Sequence, residues 1–128
     1  MTTLRKSTRR TFHPSAYEFV FSALRHAQDR LGRDRQNQDT GHVSGPELLE
    51  SVRDLALQHF GLMAMSVFSE WGVCSTGDFG KIVFELIEAG EMRKTDEDRL
   101  EDFVGVYDFR EALYDKYEID TRRAFQRG

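Results

Sequence analysis

Apolar side chains recur at helical spacing from the first third of the chain onward. The first such run begins after His13, where Pro14 suits a first helical turn because that position needs no hydrogen-bonded N–H. One face of the predicted helix comprises Tyr17, Val20, Phe21, Leu24, Ala27 and Leu31. The pattern predicts that this helix ends near Gly32 and that residues 33–43 form an exposed polar loop.

The second helix has the clearest start signal in the sequence. Ser44 and Glu47 are spaced as a capping box, and Pro46 lies in the first turn. The buried face comprises Leu48, Leu49, Val52, Leu55, Ala56 and Phe60, and Gly61 is expected to end the helix. Residues 62–71 also allow a short strand by alternation, but their apolar residues fit a helical face better, so we expect a helix there.

A further helix is predicted over residues 76–89. Ser75 or Thr76 supplies its cap, since hydroxyl side chains accept hydrogen bonds from the free N–H groups of a first turn. Gly90 is a suitable end, because glycine readily adopts the left-handed conformation that closes helices. The apolar face comprises Phe79, Ile82, Val83, Leu86 and Ile87.

Beyond this helix the pattern indicates a β-hairpin. Residues 92–95 and 100–107 have the composition of two strands, and the charged residues between them would form the connecting loop. Asp108 and Glu111 repeat the capping-box spacing, which predicts a last short helix to about Tyr117. The expected fold class is therefore mainly α, formally α+β: three consecutive helices, a short β-hairpin and a C-terminal helix, the element order of a winged helix.

One hydrophobic core is expected to join these elements. The chain has 128 residues, enough to bury roughly two-thirds of its unfolded surface. Phe19 and Phe84 fall off the main apolar faces of their helices, so they indicate either a second buried face or a docking surface. The central members of the predicted core are Leu49, Val52, Phe60, Val67, Trp71, Ile82, Leu86 and Phe103.

The length fits a single domain. We expect it to span residues 13–118, between a basic arm at 1–12 and a basic tail at 119–128. No apolar run approaches the ~20 residues needed to cross a bilayer, and the single cysteine, Cys74, favours a reducing cytoplasm over an oxidising compartment. Residues 1–12 also share the composition of organelle transit peptides, an alternative that a basic arm explains equally well.

The net charge of −4 conceals a segregation along the chain. Residues 1–12 sum to +4 and residues 121–128 to +3, whereas residues 13–90 sum to −5 and residues 91–120 to −6. Basic ends on an acidic body indicate RNA or DNA contact, since such ends neutralise phosphates without reading sequence. Ordinary termini that only keep the protein soluble are the alternative. The candidate contact residues are Arg5, Lys6, Arg9, Arg10, Arg122, Arg123 and Arg127.

The charge of the helix at 76–89 disfavours sequence-specific DNA reading. A helix that reads the major groove needs basic or amide side chains on its outer face. The outward positions here hold Asp78, Lys81, Glu85 and Glu88, a net charge of −2. Acidic residues also outnumber basic ones in the expected hairpin. Both surfaces would repel phosphates.

Five stretches of the chain carry a resemblance to a known family. They are FHPSAYEFVFSALRHAQ at 12–28, GPELLESVRDLALQHFG at 45–61, EWGV at 70–73, DFGKIVFELIEAGEM at 78–92 and LEDFVGVYDF at 100–109. Over most of residues 12–112 the chain resembles an uncharacterised bacterial family of small hypothetical proteins. The resemblance implies no activity, cofactor or catalytic residue.

Candidate chemistry in the sequence is sparse. No histidine or cysteine spacing matches a zinc site, although folding could assemble a metal site from His42, His59 and Glu70. Cys74 precedes a helix N-terminus, a position that can activate a thiol, but no histidine is near it in sequence, so an inert thiol is favoured. Nucleotide-binding glycine motifs do not occur in the sequence. We therefore expect no cofactor, metal or catalytic residue.

Three functions follow from these observations. The favoured hypothesis is a non-enzymatic interaction module, in which an acidic body docks a protein partner and the basic ends contact nucleic acid or a ribonucleoprotein without sequence specificity. A winged-helix DNA-binding transcription regulator is the first alternative. An enzyme with an unrecognised site is the second.

Overall fold

The computed structural model describes residues 11–32, 42–92 and 99–115. Four α-helices form the body: α1 at Pro14–Arg30, α2 at Gly45–Phe60, α3 at Ala64–Glu70 and α4 at Thr76–Glu88. Three shorter helical turns accompany them: 3-10 turns at Gly61–Met63 and Leu100–Phe103, and a π-helical turn at Arg110–Asp115. These ranges contain no strand, so the fold is all-α.

Helix α1 begins and ends as its sequence predicts. His13 is the N-cap, and its Nδ1 accepts a hydrogen bond of 3.0 Å from the backbone N–H of Ser15. Pro14 occupies the first turn, where no intrahelical hydrogen bond is lost. Leu31 caps the C-terminal end, and Gly32 follows with a φ of 68°, a left-handed conformation that glycine adopts without strain.

Helix α2 carries the predicted capping box. The Ser44 hydroxyl accepts a hydrogen bond of 3.3 Å from the N–H of Glu47, and the Glu47 carboxylate accepts one of 2.9 Å from the N–H of Ser44. Gly61 ends the helix with a φ of 54°. The chain continues through the turn at Gly61–Met63 into α3, which confirms a helix rather than a strand in this part of the chain.

Helix α4 lies where the sequence predicts it, but its first turn is held differently. Ser75 is the N-cap residue, yet its side chain makes no capping hydrogen bond. The Asp78 carboxylate instead accepts a hydrogen bond of 2.8 Å from the N–H of Cys74. A carboxylate in the first turn also interacts favourably with the positive end of the helix dipole. The acidic side chain therefore joins the first turn of α4 to the residue before its N-cap, and it does not replace the hydrogen bond expected from a capping hydroxyl.

Most of the predicted core is confirmed. Leu49, Val52, Ile82, Leu86 and Phe103 are buried, and Phe60 and Trp71 pack against them while partly exposed. The prediction is wrong for Val67, which is only partly buried and lies outside the core cluster. The core therefore draws on every α-helix and on the turn at Leu100–Phe103.

Phe68 is at the centre of an aromatic cluster in this core. Its ring centroid lies 5.1 Å from that of Phe79, 5.3 Å from that of Phe109 and 5.7 Å from that of Phe19. Such tilted and edge-to-face pairs stabilise a core beyond simple area burial. Phe19 therefore belongs to a second buried face of α1 and not to a docking surface, the other role that the sequence allowed.

The predicted β-hairpin is wrong. Residues 100–103 form a 3-10 turn and residues 104–107 continue without any strand, while most of the other predicted strand lies outside the described residues. The strand-like composition misled the prediction, because Leu100, Val104 and Val106 are exposed rather than packed on a sheet. Phe103 alone is inserted into the core. The predicted fold class, mainly α with a β-hairpin and formally α+β, is therefore wrong, and the described fold is all-α.

Helix α4 is the counterpart of the recognition helix in the predicted winged helix. It packs against α1, α2 and the turn at Leu100–Phe103, and nearly half of its residues are buried. Of its predicted outward positions, Lys81 and Glu88 are exposed, whereas Asp78 and Glu85 are partly buried and hydrogen-bonded. The described residues contain no wing, so the predicted winged-helix fold is contradicted.

The last predicted helix is present in altered form. Asp108 Oδ2 accepts a hydrogen bond of 3.1 Å from the N–H of Glu111, the capping contact that their spacing predicts. The turn that follows is π-helical and ends at Asp115, and the predicted continuation to Tyr117 lies outside the described residues. Within the described ranges, no helix is both long and apolar enough to cross a membrane.

Candidate interaction surface

Phe103 fixes the segment after residue 98 to the helical body. A Cβ added to Gly80 would lie 2.6 Å from the Phe103 Cβ and 2.8 Å from its Cγ, distances that real side chains do not adopt. A Cβ added to Gly45 would lie 3.1 Å from the Phe103 ring. The Phe103 side chain therefore fits between α2 and α4 because both helices carry glycine at the contact.

Two hydrogen bonds hold the following residues to the same two helices. The N–H of Val106 donates to Thr76 Oγ1 at 3.2 Å, and the Tyr107 hydroxyl donates to the carbonyl oxygen of Leu49 at 2.6 Å. Burial raises the pKa of Tyr107 above its usual range, because the phenolate would be poorly solvated there. The neutral hydroxyl is thus retained as a donor over the whole physiological pH range.

The anchored segment presents apolar side chains to solvent. We call residues 99–108 the 99–108 loop. Leu100 is 43% exposed, Val104 64% and Val106 38%. Only six large hydrophobic residues are exposed in the described part of the chain, so half of them fall within seven consecutive positions. Exposed apolar groups concentrated in this way are typical of contact surfaces.

Carboxylates flank these apolar side chains. Glu101, Asp102 and Asp108 are exposed on the same loop, and Arg99 is its one basic residue. The loop therefore combines apolar surface with a local net charge of −2. An apolar centre with a charged margin is the usual anatomy of a protein–protein interface.

The other exposed apolar residues form a separate group. Leu62 is 49% and Met63 61% exposed on the turn at Gly61–Met63, which contacts the π-helical turn that carries Tyr114. The Arg110 guanidinium carbon lies 5.4 Å from the centroid of the Tyr114 ring, close enough for a cation–π contact. The side chains of this group are exposed to a similar extent as those of the 99–108 loop, but they lie on other turns. Variants in this group can therefore serve as controls for variants in the loop.

The described residues are strongly acidic as a whole. They carry fifteen Asp and Glu against six Lys and Arg, a net charge of −9, whereas the complete chain has 22 acidic and 18 basic residues. Twelve basic residues therefore lie outside the described ranges. Three of the described ones are engaged in ion pairs, Arg30 with Glu50, Arg53 with Asp54 and Lys81 with Asp78. The folded body thus has little positive surface of its own.

The start of the described chain is tied to α1 and α4. The Tyr17 hydroxyl accepts a hydrogen bond of 3.2 Å from the N–H of Phe12 and donates one of 2.5 Å to Glu85 Oε1. The N–H of Thr11 donates to the same carboxylate oxygen at 3.5 Å. Burial, together with the hydrogen bond to Glu85, raises the pKa of Tyr17 to about 12. The preceding basic residues are thus joined to the body at a defined point.

The seven predicted nucleic-acid contacts lie outside the described residues. Arg5, Lys6, Arg9 and Arg10 precede Thr11, and Arg122, Arg123 and Arg127 follow Asp115. Their predicted role accordingly stays a prediction.

A serine and a histidine meet between α1 and α2. His26 Nδ1 lies 2.9 Å from Ser51 Oγ, and Arg30 Nε donates to the same oxygen at 3.4 Å. Ser51 is fully buried, so its hydroxyl is closed to any substrate. These residues join the two helices rather than form a catalytic pair. This contact was not predicted from the sequence, although a polar residue one position before Val52, beside the buried face of α2, was an available signal.

The other candidate chemical sites are not assembled. Among the described residues, no group of three or more His, Cys, Asp or Glu side chains could hold a metal ion, so His42, His59 and Glu70 do not converge on one. Cys74 is an exposed free thiol at the start of α4.

Comparisons with known proteins found no match to this chain among protein-family models, curated proteins or solved structures.

Proposed function

We propose that this protein is a non-enzymatic interaction module, whose acidic body docks a protein partner and whose basic ends contact nucleic acid or a ribonucleoprotein. The observation that carries the proposal is the separation of charge. The two ends of the sequence, residues 1–12 and 121–128, hold seven basic and no acidic residues, whereas the described body has a net charge of −9. Basic ends of this kind attract phosphates that the body itself would repel.

The exposed chemistry of the body supports the protein-docking half of the proposal. The 99–108 loop sets Leu100, Val104 and Val106 among carboxylates on an anchored segment. Such a surface suits a protein and would repel a nucleic acid. The proposal therefore assigns the two kinds of partner to different parts of the chain.

The remaining hypotheses receive no comparable support. Groove reading by a winged helix lacks the wing in the described residues, and three of the four predicted outward positions of α4 are acidic. An enzyme would need a reactive group together with residues that activate it, and the serine in the contact with His26 is buried. The proposal places the protein in the cytoplasm, where the exposed thiol of Cys74 would stay reduced.

Fluorescence anisotropy over a salt series tests the nucleic-acid half. The probes are labelled single-stranded and duplex oligonucleotides of unrelated sequence. Replacing Arg5, Lys6, Arg9 and Arg10 with glutamine in the full chain should reduce the slope of log affinity against log salt by up to ~4, because each phosphate contact releases roughly one counterion. The same treatment of Arg122, Arg123 and Arg127 should reduce it by up to ~3.

The control variant changes the net charge by the same amount as the N-terminal variant, but the replaced residues lie in the described body. Arg25, Lys81, Arg99 and Arg110 are replaced with glutamine, since these four basic residues are exposed on the folded part. We expect this variant to keep most of the slope of the parent chain. A greater loss in the control than in the end variants, or no binding at low salt, would refute the nucleic-acid half.

A further inference from the structure

The 99–108 loop is held in place before any partner arrives. Phe103 is enclosed by Gly45 and Gly80, and the hydrogen bonds of Val106 and Tyr107 fix the following residues to α4 and α2. Side chains on such a segment lose little conformational freedom on binding, which favours affinity. The exposed residues between the anchors are therefore suited to forming the centre of an interface.

The chemistry of the loop selects the kind of partner. Leu100, Val104 and Val106 gain from contact with apolar side chains that remove them from water. Glu101, Asp102 and Asp108 beside them favour cations. A nucleic acid, an anionic lipid surface and the same face of a second acidic copy are all disfavoured by this charge.

We infer that the 99–108 loop binds a peptide segment of a partner protein in which apolar residues stand beside Lys or Arg. The inference rests on the proposed function and gives its docking half a location and a partner chemistry. The apolar side chains supply contact area, and the carboxylates select a cationic segment over a neutral or acidic one.

The test uses the full chain and a labelled amphipathic peptide made of leucine, alanine and arginine. A second peptide has glutamate in place of arginine, and a third has serine in place of leucine. Anisotropy titrations should show binding of the first peptide and at least about tenfold weaker binding of the other two, the effect of losing one or two central contacts. Equal binding of the glutamate peptide would overturn the inference.

Matched variants locate the binding site. Val104→Ser with Val106→Ser should weaken binding of the arginine peptide about tenfold, whereas Leu62→Ser with Met63→Ser should leave it unchanged, since those residues are as exposed but lie elsewhere. Glu101→Gln with Asp102→Asn should weaken binding, and Glu70→Gln with Glu88→Gln should not. Urea unfolding of each variant shows that the fold is retained. Equal losses in test and control variants would overturn the inference.

Two further outcomes would assign the loop to another occupant. Tighter peptide binding after replacement of Arg122, Arg123 and Arg127 with glutamine, beyond the gain from the same replacement of Arg25, Lys81 and Arg110, would show that the chain's own C-terminal residues cover the loop. Self-association that the Val104 and Val106 variant abolishes would show a second copy there. Either result overturns the inference. Oligonucleotide binding through the basic ends is measured separately, so failure of the loop is distinguishable from failure of the proposed function.

Discussion

Gly80 and Phe103 are in contact so close that no side chain fits between them. The atom nearest to a Cβ added at Gly80 is the Phe103 Cβ, at 2.6 Å, and not the mobile end of the ring. Phe103 cannot relieve the clash by rotating its side chain, because its Cβ position is set by the backbone. A glycine inside α4 that would ordinarily weaken the helix is thus required by a residue 23 positions away in sequence.

We expect Gly80→Ala to destabilise the protein. Alanine favours a helix interior by ~1 kcal/mol over glycine, but overpacking against Phe103 costs ~1–3 kcal/mol. The control is Gly77→Ala in the same helix, where an added Cβ meets its nearest atoms at 3.6 and 3.7 Å, an ordinary contact distance. Urea unfolding measures both. A Gly80→Ala protein at least as stable as Gly77→Ala would contradict the described contact.

Leu86→Ala should lower the free energy of unfolding by ~2–5 kcal/mol, the range for deleting buried methyl groups. Leu86 is 1% exposed and lies in the last turn of α4, facing the core, so its truncation leaves a cavity. Leu62→Ala serves as the comparison, because Leu62 is half exposed and surface substitutions change stability by about 0.5 kcal/mol or less. Similar losses for the two leucines would place Leu86 outside the core.

Ser44→Ala should cost ~1 kcal/mol through loss of the α2 cap. Ser75→Ala is its matched control, since Ser75 is the N-cap residue of α4 but makes no side-chain capping hydrogen bond. Thermal unfolding should show a lower midpoint for Ser44→Ala than for Ser75→Ala. Equal midpoints of thermal unfolding for the two variants would contradict a stabilising role of the capping box.

Stability should fall as the pH rises above about 10. An unfolded tyrosine titrates near its model value of 10.0, whereas the pKa of Tyr17 is raised to about 12 in the folded protein. The unfolded state therefore binds fewer protons than the folded state in this window, and the stabilisation present below pH 10 is lost as the pH approaches 12. Tyr107 acts in the same direction, because its pKa is raised too.

The Tyr17→Phe variant isolates this effect. It removes the hydroxyl that joins Phe12 to Glu85, so we expect a loss of ~1–3 kcal/mol at neutral pH and a shallower decline in alkali. Unfolding free energies measured from pH 7 to pH 11 in the parent, Tyr17→Phe and the exposed-ring control Tyr114→Phe provide the comparison. An unchanged alkaline decline in Tyr17→Phe would mean that Tyr17 does not contribute to it.

The helices could be located from the sequence because their signals are local. Pro14, the Ser44 and Glu47 pair and the glycines after each helix act within one turn of the residues they affect. The hydrogen bond between Cys74 and Asp78 at the start of α4 was less visible, since a serine at the N-cap position is the commoner way to hold a first turn.

The all-α character of the C-terminal part could not be predicted from a local window. Residues 100–107 have the composition of a strand, but their placement is decided by the contact of Phe103 with Gly45 and Gly80, residues far away in sequence. The same error concealed the candidate site. Val104 and Val106 were placed in the predicted hairpin, whereas they are exposed on a loop, and only the glycine inside α4 hinted that another residue had to come close.

The bond between Thr11 and Glu85 sets a geometric limit on the basic N-terminal residues. Arg5, the basic N-terminal residue farthest from Thr11, lies six positions before it, and a fully extended chain of that length spans at most about 22 Å, or about 30 Å with the arginine side chain added. A phosphate group bound by those residues would stay within that radius of α4, and hence close to the 99–108 loop, which packs on the same helix. In the proposed function the two partners therefore meet at an effective concentration in the millimolar range, so the protein would act as a tether that makes their encounter intramolecular.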